Sequence, residues 1–400
     1  MIETKFKETE VGRVPVDWAI YSFDDTFTFF SNNTLSRDKL GENEGKMYDV
    51  HYGDVLIKYG SILDAETERI PSIKEHYAYR TSNSITDGDI IIADTAEDET
   101  VGKVCEVQNV GNKNIVSGLH TMWVRPQDGL FAPKYLGYAM NGAIYHNQIL
   151  PLIQGTKVCS VSKTAIKDTY IVVPPLPEQR RIATALSDID SLISSLDTLI
   201  EKKRNIKQGT MQQLLTGKTR LNGFSEPWVE KKLGDVEIRN GSMLKSSEYK
   251  DGAIPVIAGG KTPAGFHSEY NREKDTITIS GSGANAGYIA FYHNPIFASD
   301  CSTINEQKDF DIKFMYYTLL LKQESVYKCQ AGGAQPHIHA KDISDIVLLL
   351  PTDMTEQRAI ASILTSMDDE IAALEQKCEK YVALKKGMMQ ELLTGRIRLV

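Results

Sequence analysis

The chain has 400 residues, 41% of them apolar, which is enough for at least two independent cores because single cores stop growing well below this length. Its net charge of −8 argues against a wholly basic nucleic-acid paddle, and five scattered cysteines without a Cys-x-x-Cys pair argue against a disulfide framework or a thiolate zinc site. The opening Met1-Ile2-Glu3-Thr4-Lys5 is polar and no run of about eighteen apolar residues is present to span a bilayer, so a cytoplasmic protein with no membrane contact is expected.

Residues 1–175 read as a first globular block. Pro15 and Trp18 open it, followed by Phe23 and Asp25. Asp54-Val55-Leu56-Ile57-Lys58, Asp89-Ile90-Ile91-Ile92-Ala93 and His120-Thr121-Met122-Trp123-Val124 are short β-rich runs between polar turns, and 131–149 has a helical pattern. The block closes through Gly155, Ile166 and the apolar strand Tyr170-Ile171-Val172-Val173 before Pro174. Residues 1–170 carry 17 basic and 24 acidic groups, so any contact with a polyanion must come from local lysine and arginine placement.

Residues 176–221 change character. Ile182, Leu186, Ile189, Ile193, Leu196 and Ile200 alternate in steps of four and three, the seam of a coiled coil. Beside that seam Ala185, Leu192, Leu199 and Ile206 form a second apolar stripe, expected if helices of another subunit complete a bundle. The run ends in Leu214-Leu215-Thr216-Gly217, with the glycine suited to a left-handed C-cap. About 36 helical residues at 1.5 Å each would make a rod of roughly 54 Å.

A second block, 222–352, repeats the framing. Pro227 and Trp228 are followed by Leu233 and Asp235, and Gly332, Ile343 and Pro351 close it. Its predicted strands are 254–258, 276–280 and 288–292, with a helix near 313–322. Gly281-Ser282-Gly283-Ala284-Asn285-Ala286-Gly287 follows a strand but precedes another, so it lacks the helix N-terminus that would hold a pyrophosphate. His337-x-His339 has no completing ligand nearby and reads as loop polarity, leaving no metal site. Between the frames, residues 31–132 and 237–311 show no convincing match.

The last segment, 353–400, returns to the rod. Ile360, Leu364, Met367, Ile371, Leu374, Cys378 and Tyr381 keep the seam register, and Asp353 precedes Glu356 at capping-box spacing. Residues 178–221 recur at 356–399 without a gap, with about 20 of the 44 aligned residues identical. The expected fold class is therefore α+β: two globular domains separated by two long antiparallel coiled-coil helices, with a pseudo-two-fold internal repeat placing the globules at opposite ends.

The motifs of chemistry are missing. No phosphate loop Gly-x-x-x-x-Gly-Lys-Ser/Thr is present, and Pro174-Pro175-Leu176-Pro177 lacks the polar group of an amino-methyltransferase tetrapeptide. No catalytic residue and no cofactor are expected in this chain.

The doubled frame resembles the DNA specificity subunit of type I restriction-modification systems. The features that carry the likeness are Pro15/Trp18 and Pro227/Trp228, the junction Pro175 to Arg180 with its weaker copy Pro351 to Arg358, and both Leu-Leu-Thr-Gly ends. The second junction departs from the family pattern in lacking the proline doublet, and Gly155-Thr156-Lys157-Val158-Cys159 is a less typical closing loop than Gly332-Gly333-Ala334-Gln335-Pro336-His337.

The resemblance implies target recognition domains at 1–175 and 222–352, each reading half of a split double-stranded DNA site. It also implies two methyltransferase subunits that bind S-adenosylmethionine, and restriction/translocase subunits that use ATP and magnesium. DNA methylation and phage defence are the implied roles. Base readers would come from the major-groove side, with phosphate contacts fixing position. Candidates beside strand ends or in Gly- and Ser-rich loops are Lys58, Tyr59, Arg80 and Thr95 in the first domain and Lys245, Lys261, Thr262, Ser282 and Asn285 in the second. Two other functions fit the sequence less well: a stand-alone DNA-modifying enzyme, and a coiled-coil scaffold that binds proteins or glycans.

Overall fold

The structure, a computed structural model, describes residues 4–42, 44–77, 81, 83–333 and 335–400. The chain divides into two compact units, Met1–Ser195 with Lys377–Val400, and Leu196–Gln376. These units cut across the segments drawn from sequence. Each holds one globule, the head of the long helix that follows it and the tail of the other long helix.

In the first unit the central sheet runs in the order Phe27–Phe30, Thr121–Pro126, Ile90–Ala93, Val104–Gln108 and Ile62–Asp64, antiparallel except for the last pair. A second sheet is centred on Met47–Val50, which pairs parallel with Asn114–Ser117 and antiparallel with Ser72–Ile73. Beta-branched residues fill both: Ile90, Ile91 and Ile92 are buried on either face of the central strand, where short branched side chains suit a doubly covered sheet.

The second unit has the same wiring. Its main sheet runs Arg239–Asn240, Cys301–Ile304, Thr276–Ser280, Ile289–Tyr292, all antiparallel. Its smaller sheet is centred on Ile254–Ile257, which pairs parallel with Phe297–Ala298 and antiparallel with Gly265–His267. Apart from the parallel edge strand Ile62–Asp64, which has no counterpart in the second unit, the middle regions that show no match in sequence thus share the order and directions of the other main-sheet strands. In each unit an opening strand also pairs antiparallel with the closing one, Ala19–Ser22 with Tyr170–Val173 and Trp228–Lys232 with Val347–Pro351.

Two sequence expectations are corrected here. Asp54–Lys58 is a π-helical turn and not a strand: Asp54 and Val55 are buried, Ile57 is 89% exposed, and Tyr59 N–H closes the turn on the Asp54 carbonyl at 2.8 Å. A strand would have put Val55 and Ile57 on one face. The helical pattern over 131–149 is two helices, Tyr135–Ala139 and Ala143–Ile149, broken where the Asn141 side chain leaves the helix to bond Val104 N (3.1 Å) and O (2.9 Å).

The long helices span Leu176–Leu214 and Met354–Leu392. Within the first unit the head of one and the tail of the other run antiparallel, joined by Lys385–Asp190 at 2.6 Å. Within the second they do the same through Lys203–Glu370 (2.6 Å), Arg204–Glu375 (2.5 Å) and Lys207–Asp368. Of the seam, Ile182, Leu186, Ile189, Leu196, Ile200, Ile360, Leu364 and Ile371 are buried, while Ile193, Met367, Leu374, Cys378 and Tyr381 are half-buried. Gly217 and Gly395 close the helices at φ 67° and 68°, a left-handed turn that glycine adopts without strain. No helix among the described residues is long and apolar enough to cross a membrane.

One buried acid makes the first unit sensitive to pH. Asp49 accepts a 2.5 Å hydrogen bond from Asn33 Nδ2 on one oxygen, its other oxygen has no partner among the described residues, and burial pushes its pKa up to about 7. The folded chain therefore holds a proton there between about pH 4 and 7 that the unfolded chain releases. This contribution to stability is complete below the unfolded pKa and fades as pH rises through 7. Asp49→Asn is expected to flatten the decline by about 2–4 kcal/mol, read from denaturant melts of the first unit at pH 5 and 8.

Candidate nucleic-acid interface

Each unit is locked by the same set of side chains. In the first, Trp18 Nε1 donates to Glu178 Oε2 (3.0 Å), and Arg398 grips the same carboxylate through Nε (2.6 Å) and Nη2 (2.7 Å) while also holding Asp17. In the second, Trp228 Nε1 reaches Glu356 Oε2 (3.3 Å) and Arg220 grips Glu356 through Nε (2.6 Å) and Nη2 (2.7 Å). Both glutamates are buried, and the paired forks satisfy charges that water cannot reach. Arg398 holds the Asp17 carboxyl below the usual carboxylate range. Glu356 is thus turned inward and does not form the expected capping box; Asp353 accepts instead from Thr355 N at 2.7 Å.

The repeat extends to the neighbouring bonds. Gln179 Nε2 donates to Pro174 O and Gln357 Nε2 to Pro351 O, both at 2.8 Å. Tyr138 donates to Asp190 (2.9 Å) and Tyr317 to Asp368 (2.7 Å). These contacts fix each sheet on its own helical pair, which leaves the loops as the variable part.

The loops gather at one end of each sheet. In the first unit Ala93 pairs with Thr121 and Ile92 with Val104, so 94–103 and 118–120 emerge together. Gly118 N to Val50 O (3.0 Å) and Tyr52 N to Leu119 O (3.3 Å) bring 51–58 to the same place, and Thr95 pairing with Ser160 adds 154–160. In the second unit Ser280 pairs with Cys301 and Ile279 with Ile289, gathering 281–288 and 299–300. Ser299 N to Ile257 O (2.8 Å) adds 258–264, and the Ser282–His337 bridge adds 330–333 and 335–337.

Most sequence candidates sit on these ends. Thr95 is half-buried, with its hydroxyl on Asp94 (2.8 Å) and 3.3 Å from His120 Nδ1; Tyr52 meets the His120 ring edge-on at 5.3 Å. Lys261 and Thr262 are exposed, with the Lys261 ammonium 5.5 Å from the Tyr288 ring centroid. Ser282 donates to Asp300, and Asn285 is half-buried in the same loop. Lys58 is exposed but its ammonium is engaged by the Arg69 carbonyl. Lys245 is exposed on a separate loop, next to Leu244, whose N–H bonds Ser299 Oγ at 3.0 Å.

Tyr59 is a correction. It is buried in the core with its hydroxyl on Arg69 O at 3.2 Å, so its ring supports the π-turn and cannot reach a base. Arg80 lies outside the described residues. Tyr52, His120, Tyr288, Asp300 and His337 belong to the same loop ends, although sequence reading did not single them out as binders. The signals for these loops in the sequence were the closing-loop glycines Gly155 and Gly332 and the Gly281–Gly287 run. Of the stripe on the first long helix, Leu192, Leu199 and Ile206 are exposed and Ala185 is half-buried.

Comparison with known proteins bears on this arrangement. The family described as the type I restriction modification DNA specificity domain matches twice, over residues 15–206 and 225–382. A Methanocaldococcus jannaschii protein named for the specificity subunit of the MjaX type I restriction enzyme is 27% identical, covering 99% of this chain and 97% of its own. The MjaVIII type I restriction enzyme specificity subunit of that organism is 25% identical over 99% and 96%. The solved S subunit of a type I restriction-modification system from M. genitalium shares the fold at TM-score 0.62 and 19% identity, covering 94% of this chain and 96% of that one. A further chain, solved in work on complex assembly and conformational transition of the type I R-M system, aligns at TM-score 0.55 and 18% identity over 96% and 99%. With two family matches spanning both units and their helices, the chain belongs to the type I restriction-modification DNA specificity family.

Proposed function

We propose that this chain selects a two-part double-stranded DNA site, each unit reading one half, and serves as a non-catalytic specificity subunit on which two modification subunits assemble. The observation that carries this reading is the duplicated loop end: one backbone wiring built twice, presenting unlike side chains. Matching frames with different tips are what recognition of two different base sequences requires. Lys58, Thr95, Lys245, Lys261, Thr262, Ser282 and Asn285 remain the proposed DNA contacts.

The exposed Leu192, Leu199 and Ile206 are the proposed seat of a modification subunit. That subunit would bring S-adenosylmethionine and extract the target adenine from the stack, while restriction/translocase subunits would bring ATP and magnesium. One structural neighbour, solved in work on complex assembly of the type I R-M system, supports such partners.

The test is filter binding to random duplexes with and without the modification subunit, together with a methyl-transfer assay of the chain alone. Sequence selectivity that rises on assembly, with no turnover by the chain alone, is the expected result; turnover by the chain alone contradicts the reading. Lys261→Ala in the assembled complex is expected to weaken binding on all sequences and to lower the slope of log affinity against log salt by about 0.9. An unchanged slope would remove Lys261 from the phosphate contacts.

A further inference from the structure

At the loop end of each unit stands a short hairpin with one plan. Its stem closes by a reciprocal pair of main-chain bonds, Gln154 with Ser160 (2.9 and 2.8 Å) in the first unit and Ala331 with His337 (2.9 and 2.8 Å) in the second. The next residue is a glycine at positive φ, 95° at Gly155 and 90° at Gly332. Each faces the carbonyl three residues on: a Cβ would lie 2.0 Å from Val158 O at Gly155 and 2.7 Å from Gln335 O at Gly332. Only glycine permits both the dihedral and the approach.

The outer arm then docks on the floor of the sheet in the same way. Val161 N–H bonds Asp94 O and Ile338 N–H bonds Gly281 O, each at 2.9 Å. With stem, glycine and floor matched, Val158 and Gln335 occupy one equivalent station. Val158 is 57% exposed and Gln335 is exposed as well. A clamped turn thus holds a branched apolar side chain outward in one unit and an amide in the other. Neither residue type is needed to close the turn, since the glycine and the stem do that.

We propose that this station is a base-edge reader in each half-site: Val158 by apolar contact with a thymine methyl group, and Gln335 by paired hydrogen bonds to adenine N6 and N7. The inference rests on the two-part reading proposed above and names the residues that set one base pair in each half. A station set by a paired stem and a positive-φ glycine is suited to the task, because a pre-set backbone loses less conformational freedom on contact. The unlike residues at matched stations would give the two halves different sequences.

The experiment maps the methylated motif produced by the assembled complex of this chain and its modification subunit, for the wild type, Val158→Gln and Gln335→Val. Each exchange is expected to change the preference at one base pair, in one half only, by at least about tenfold, leaving the other half and the melting temperature as they were. Two results overturn the proposal: wild-type motifs at wild-type rates from both variants, or equal loss of methylation regardless of sequence, which marks a protein contact. A wild-type motif that is not split would defeat the two-part reading instead, so the two failures are distinguishable.

Discussion

Arg398→Ala is expected to destabilise the first unit by about 3–5 kcal/mol, because it leaves the Glu178 carboxylate buried without its charge partner. Glu178 is 2% exposed, and its remaining neighbour is the Trp18 indole N–H. The Arg398 guanidinium is held firmly in its charged form by the hydrogen bonds it donates to Glu178 and then Asp17, which raise its pKa above the ordinary value. Denaturant unfolding followed by tryptophan fluorescence, in a Trp228→Phe background that leaves the emission to Trp18 and Trp123 of the first unit, reads the loss. Adding Glu178→Gln to Arg398→Ala should recover part of it, since a neutral amide is less costly to bury than an unpaired carboxylate. A loss below about 1 kcal/mol would show that the clasp is a solvated surface pair. The same logic applies to Arg220→Ala, where Glu356 is the stranded acid and the second unit is the one affected.

Asp89→Ala is expected to cost about 3–5 kcal/mol, again in the first unit. Asp89 is fully buried and its carboxylate receives Arg125 Nε and Nη2 (2.7 Å each), Trp123 Nε1 (2.9 Å) and Thr86 N (2.9 Å). Removing it leaves an indole N–H and a backbone N–H without their acceptor and the Arg125 guanidinium with Ser84 O (3.2 Å) and solvent in place of its counter-charge. Asp89→Asn should lose less, since its amide oxygen still accepts from the indole or from Thr86. Circular dichroism melts and the affinity of the assembled complex for DNA measure the effect. The second unit, which has no part in this network, should melt unchanged.

The long helices were legible because their seam repeats over several turns and because the gapless offset between copies leaves no freedom in register. Their partners were not. Trp18, Glu178 and Arg398 are separated by 160 and 220 residues, and nothing in local spacing tells a buried glutamate at a helix head from one in a capping box. Glu356 shows the consequence: the spacing to Asp353 suggested a cap, and Arg220 captured the side chain instead.

The interior of the globules was readable only in part. Runs such as 90–93 and 276–280 declared themselves as strands by apolar, β-branched composition. Asp54–Lys58 has a similar composition but folds as a π-turn, in which Asp54 is buried and pairs at 2.5 Å with the more exposed Arg37. The bond that closes this turn, Tyr59 N–H to Asp54 O, and the Tyr59 hydroxyl on Arg69 O keep this candidate base reader in the core. The common wiring of the two units escaped detection because it resides in short strands joined by loops of unlike length, where backbone pairing leaves little mark on side-chain identity.

Single-molecule mapping of methylated adenines in a genome carrying this chain with its modification subunit tests the central claim most directly. The account predicts one motif in two specified halves divided by a fixed unspecified spacer, lost altogether when this chain is deleted. A single unbroken motif, or methylation that persists at the same sites without the chain, would contradict it.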